Sequence, residues 1–136
     1  MREYENIFDT LRKEVKEETG LTVSKINGEE HSVYATCRDH DLISFTPFCT
    51  TQNMSGGYSL IINTFVCNAT GTLLKHSEEA RNIRWITIRD LDRILEKSPE
   101  MIFPIHLNAL KKYVEQEREI TTWHYVQQDY SLTPTQ

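Results

Sequence analysis

Glu14, Glu17 and Glu18 set three carboxylates at i, i+3 and i+4 in the run Lys13-Glu14-Val15-Lys16-Glu17-Glu18-Thr19-Gly20-Leu21, with Glu5 eight residues before Lys13. On a helix this spacing gathers acids along one side, where like charges at i, i+4 cost roughly a few tenths of a kcal/mol. Carboxylates in a last turn also oppose the helix dipole. Lys13, four before Glu17, offsets only part of this. A hard divalent cation would offset all of it, because Mg²⁺ takes carboxylate oxygens and leaves water and phosphate to complete its shell. Glu17-Glu18 alone would read as a solvated charged face, as most charge runs do. The whole constellation favours a metal site.

The element that must carry these acids is a helix over residues 6–19. Asn6 is a candidate N-cap, Ile7, Phe8, Leu11 and Val15 recur at helical spacing, and Gly20 suits the left-handed position that ends a helix. At about 100° per residue, Phe8, Leu11 and Val15 form one apolar stripe. Glu14, Glu18 and then Glu17 form a second stripe along its edge, while Arg12 falls elsewhere on the circumference. The acids therefore adjoin the face to be buried.

This run resembles the second half of the Nudix box, G-x5-E-x7-R-E-U-x-E-E-x-G-U with U aliphatic. Glu5, Glu14, Val15, Glu17, Glu18, Gly20 and Leu21 fall in its register. The resemblance implies that Glu14, Glu17 and Glu18 bind Mg²⁺ or Mn²⁺. It further implies metal-dependent hydrolysis of a nucleoside diphosphate linked to another group, with ADP-ribose, nucleotide sugars and nucleoside triphosphates all open. Glu14 would then serve the chemistry as well as the metal. Glu79, or Glu78 beside it, becomes the candidate general base, and Glu5 a brace for the start of the helix. Solvation of a loop is the competing reading of Glu78 and Glu79.

Two departures stand out. Lys13 occupies the arginine position of the box and cannot supply the same planar fork of donors. The opening glycine would fall before Met1, so the chain is expected to be a Nudix domain without its N-terminal part. Those departures keep a second function open, a catalytically weak or inactive module that binds a nucleotide or a protein.

At 136 residues there is room for one domain with a modest core. The balance of 38% apolar to 26% charged residues is globular. A net charge of −5 without a basic stripe argues against duplex nucleic acid as a partner. No apolar run reaches membrane-spanning length. Cys37, Cys49 and Cys67 are odd in number and unpaired by spacing, which points to a reducing cytoplasm. Cys37-x-x-His40, with Asp41 nearby, is half of a zinc pattern that finds no second half.

Strands are expected at residues 21–26, 31–36 and 42–49, the last with Pro47 marking an edge or a bulge. Residues 52–57 read as a polar loop. Residues 58–67 form an almost continuous apolar run, expected to be a strand buried on both faces. A short strand around Trp85, taken as a core residue, precedes a helix capped by Thr87. Pro104 opens a last helix carrying Leu107, Leu110 and Val114. Phe45, Phe48, Tyr58 and Phe65 could stack a base, though strand aromatics more commonly fill a core.

Together these elements suit an α+β chain. The resemblance implies an α/β/α sandwich with a mixed sheet, here lacking its first strands. The Nudix domain would cover residues 1–118 and a polar tail 119–136. The expected partner is a nucleotide-type small molecule, with a homodimer possible through exposed sheet edges.

Overall fold

The computed structural model describes residues 5–57, 59–75, 83–123 and 131–132, with side chains up to residue 118. In chain order the elements are α1 (Ile7–Thr19), β1 (Thr22–Ile26), β2 (Val33–Cys37), β3 (His40–Ser44), β4 (Cys49–Asn53), β5 (Leu60–Thr64), β6 (Cys67–Thr70), β7 (Ile86–Thr87), α2 (Ile88–Lys97), α3 (Leu107–Trp123) and β8 (Ser131–Leu132). The fold is α+β. Its described strands form two-stranded sheets, β1 with β6, β2 with β3, β4 with β5 and β7 with β8. No helix among the described residues is long and apolar enough to cross a membrane.

The chain divides into two compact units. One gathers the described residues up to Phe48 and those from Thr64 to Arg84, and the other holds Cys49–Asn63 and the residues from Trp85 on.

In the first unit, α1 lays Phe8, Leu11 and Val15 on a core completed by Leu21, Val23, Ile26 and Phe65. β1 and β6 are antiparallel, with Val23 opposite Ala69 and Ile26 opposite Cys67. A register shift between Val23 and Lys25 bulges the strand at Ser24. That bulge matters, because strict alternation would put Val23 and Ile26 on opposite faces. With the extra residue both are buried. Phe8, Phe45 and Phe65 meet in edge-on or tilted pairs, with centroids 5.6 to 5.9 Å apart. Phe45 and Phe65 are thus core residues, which removes them from the set that could stack a base.

In the second unit, α2 and α3 enclose Leu91, Leu95 and Val114, with Ile86, Ile88, Ile102, Leu107 and Leu110 packed around them. Thr87 caps α2 as expected, its hydroxyl accepting from the Asp90 amide at 3.1 Å. Pro104 opens a single 3-10 turn, Pro104–His106, that runs straight into α3. The helix continues past residue 118 to Trp123, and Ile86 and Thr87 of β7 pair antiparallel with Leu132 and Ser131 of β8.

Three expectations need correction. The apolar run at 58–67 is not one strand buried on both faces: β5 leaves Ile61 59% exposed, and a new strand, β6, starts at Cys67. The physical reason is a change of partner. β5 pairs with β4, and after Phe65 has turned into the first core β6 pairs with β1. Residues 42–49 likewise split, with β3 ending at Ser44 and Pro47 in the break before β4. Trp85 is 39% exposed, half out of any core.

Candidate functional site

The helix that carries the acids is fixed at both ends. Asn6 Oδ1 accepts from the Asp9 amide at 2.9 Å, a side-chain cap on an N–H that has no partner within the helix. Glu5 Oε2 accepts from the Thr10 hydroxyl at 3.3 Å, so this carboxylate braces the first turns.

At the other end Gly20 adopts φ +82°, and its N–H donates to the Lys16 carbonyl at 2.9 Å. Two constraints demand glycine there. The left-handed backbone disfavours any side chain. A Cβ would also lie 2.8 Å from Leu74 Cγ and 3.1 Å from the Thr72 carbonyl oxygen. The Leu74 amide donates to the Thr19 carbonyl at 2.9 Å, tying the last turn to the segment after β6. Lys16 Nζ donates to the Gly20 carbonyl at 3.2 Å, a cation where the dipole favours one.

Exposure follows the helical wheel. Glu18, nearest the Leu11–Val15 stripe, is half-buried, whereas Glu14 and Glu17 are exposed. Glu14 and Glu18 are i, i+4 neighbours on one face, and Glu17 stands farther round. The donor set suits a hard cation by chemistry and by register. As folded, however, the three carboxylates are not drawn to one point: among the described residues no three His, Cys, Asp or Glu side chains lie close enough together to hold an ion. The same holds at the β2–β3 turn, where Cys37 and His40 face each other in register without a third ligand.

Arg12 has a different task from the one an arginine would have in the box. Its Nη1 donates to Glu29 Oε2 at 2.8 Å and its Nη2 to Oε1 at 2.5 Å, a two-pronged clamp from α1 to the turn after β1. The hydrogen bond from Arg12, helped by its charge and opposed by desolvation, holds the Glu29 carboxyl below its ordinary range. No spacing rule links residues 12 and 29, so the sequence gave no sign of this pair. Lys13, in the box position, is exposed.

The cysteines are free thiols, and burial pushes that of Cys67 up, away from the thiolate a nucleophile needs. Glu78 and Glu79, the candidate bases, lie outside the described residues, as does Tyr58. Comparison with protein families, with curated proteins and with solved structures finds no match to this chain.

Proposed function

We propose that this chain is a metal-dependent pyrophosphohydrolase of the Nudix type, acting on a nucleoside diphosphate linked to another group. One observation carries the reading. The helix places Glu14, Glu17 and Glu18 in its last turns and stops at a left-handed Gly20, with every acid of the box pattern in register. An α/β/α sandwich is the architecture that goes with this reading.

Glu14 and Glu18, with Glu17 alongside, would hold Mg²⁺ or Mn²⁺. When bound, such an ion neutralises pyrophosphate oxygens and acidifies a water. The chain's own contribution is position. The Asn6 cap, the Gly20 stop and the Arg12–Glu29 clamp hold the acidic turn in place, so the carboxylates need no backbone rearrangement to meet a charged substrate. Glu79, whose neighbourhood is acidic in sequence, would accept the proton of the attacking water.

The test is turnover on a panel of nucleoside diphosphate derivatives with Mg²⁺ or Mn²⁺, for the native chain and for Glu18→Gln. An enzyme of this type turns over at least one substrate and loses about 100-fold or more in Glu18→Gln with its fold unchanged. No turnover on any member by a folded protein sinks the reading.

The spread of the three carboxylates favours a second reading, a Nudix-like module that binds a nucleotide or a protein without hydrolysing anything. Calorimetric binding of an intact nucleoside diphosphate, with no product released, would establish it.

A further inference from the structure

We propose that two copies of this chain associate through the free edge of β2, in an antiparallel pairing whose two-fold axis passes Ala35. Among the described strands β2 pairs only with β3, so its other edge is open. All five of its residues are exposed, with Val33 at 63% and Tyr34 at 58%.

The hairpin's own register says which groups face outward. Cys37 pairs with His40 across a two-residue turn in which Arg38 and Asp39 both have positive φ, 51° and 65°. A turn of this kind is closed by a hydrogen-bonded pair, and such pairs alternate along an antiparallel ladder. Cys37, Ala35 and Val33 therefore spend their amides and carbonyls on β3. Tyr34 and Thr36 present theirs at the open edge.

Natural edges are protected against this by charge, proline or a bulge. Val33-Tyr34-Ala35-Thr36-Cys37 has no charged residue and no proline, and its pairing with β3 is regular throughout.

The occupant follows from what the strand sets opposite itself. About a two-fold axis at Ala35, Tyr34 faces the partner's Thr36 and exchanges both backbone hydrogen bonds with it. Ala35 meets the partner's Ala35 at the close, non-hydrogen-bonded position, where a small side chain fits. Val33 faces the partner's Cys37. Continuing the register, His31 comes towards the partner's Asp39 and Glu30 towards the partner's His40. Each carboxylate meets an imidazole and no like charges are opposed, although each copy carries a net charge of −5. A second copy is thus electrostatically matched at this edge, which an unrelated acidic protein would not be.

Light scattering over a concentration series tests it, with Ala35→Lys and Ala35→Glu as variants. Ala35 is exposed, so the hairpin tolerates either side chain, but each variant opposes like charges across the axis. The native chain should rise from 15.9 kDa to twice that mass, and each variant alone should stay at the monomer mass. An equimolar mixture of the two variants should regain the doubled mass, a rescue that a merely structural effect cannot give.

Hydrogen exchange of the native chain supplies the variant-free arm. The Tyr34 and Thr36 amides should gain protection as concentration rises, while the amides already bonded to β3 stay unchanged. A native chain that remains at 15.9 kDa overturns the proposal. So does a dimer indifferent to either variant, or an exchange rate at Tyr34 and Thr36 that ignores concentration.

Discussion

The two units hold themselves together by different means. The first buries seven apolar side chains, including Phe8 and Phe65, under a helix stopped by a glycine that no other residue replaces. The second buries Leu91, Leu95 and Val114 between two helices, with shorter aliphatic neighbours around them. Rings concentrate contact area in few residues and fix orientation, whereas aliphatic side chains between helices can adjust their rotamers. The acidic helix belongs to the more tightly specified unit. A site that must hold several carboxylates in place gains from standing on the side that yields less.

The strongest challenge to that contrast is truncation in each core. Phe8 is 1% exposed and touches both other rings, so Phe8→Ala should cost roughly 3–5 kcal/mol. Leu95, 7% exposed, should cost about 2–5 kcal/mol as Leu95→Ala, towards the low end if the helices close over the gap. Urea unfolding followed by amide NMR separates the effects. Phe8→Ala should move the midpoints of α1, β1 and β6 most, and Leu95→Ala those of α2 and α3. Equal shifts everywhere would mean one cooperative body and would dissolve the contrast.

Next in size is Gly20→Ala. The left-handed backbone alone costs an L-residue roughly 1–2 kcal/mol. The approach to Leu74 Cγ at 2.8 Å adds to it. The readout that matters is local: amide exchange in the last turn of α1 should quicken, and turnover, if the proposed chemistry holds, should fall with it. A fully stable variant would show that the glycine stop does not fix the acidic turn.

How much of this was legible beforehand follows the range of the interactions. The limits of α1, its cap at Asn6, its stop at Gly20 and the Thr87 cap of α2 are set within four residues in sequence, and a single chain displays them. β1 was legible too, since Leu21 to Ile26 leaves the helix directly. Residues 58–67 were misread because hydropathy records how apolar a strand is and not which strand pairs with it. The change of partner between β5 and β6 is a long-range fact. Trp85 misled for a similar reason, as size and apolarity do not tell on which side of a short strand a ring emerges. The Arg12–Glu29 clamp joins residues seventeen apart with no periodicity to mark them. The acids of the site were legible as a pattern, yet their spread as folded was not, because side-chain convergence is not encoded in spacing.

A smaller effect separates the units by pH. Burial holds the imidazole of His106, beside Phe103 in the second unit, below its ordinary value of 6.5. The unfolded chain then binds the proton more readily, so that unit loses stability as pH falls below about 6.5, until the folded imidazole is itself protonated. Glu29 in the first unit has the opposite character, a carboxyl lowered from its ordinary 4.5 by the Arg12 hydrogen bond. Its contribution is complete above that value and disappears as pH falls through the folded one. Stability measured from pH 8 to pH 3 should therefore decline first in the second unit and later in the first. His106→Gln should flatten the early slope and Glu29→Gln the late one. A single common slope would show that neither group governs its unit.

The smallest difference lies between the two arginines. Arg12 grips both oxygens of one carboxylate, and the two side chains are only 35% and 31% exposed. Arg118 reaches Asp92 and, at 3.5 Å, Glu96, from a side chain that is 52% exposed. Water and salt screen the second arrangement far more, and holding long side chains on a surface costs entropy that such pairs barely recover. Arg12→Ala should lower stability by an amount on the order of 1 kcal/mol or less, and Arg118→Ala should leave the urea midpoint where it was. Salt provides the sharper comparison. Raising it from 0.05 to about 0.5 M shortens the screening length well below 10 Å. The Arg12→Ala difference should survive that change in good part, because a two-pronged hydrogen bond does not depend on long-range field alone. If it vanished with salt, Arg12 and Glu29 would be one more surface pair. The acidic turn of α1 would then be held by its glycine stop and its core stripe without help from the clamp.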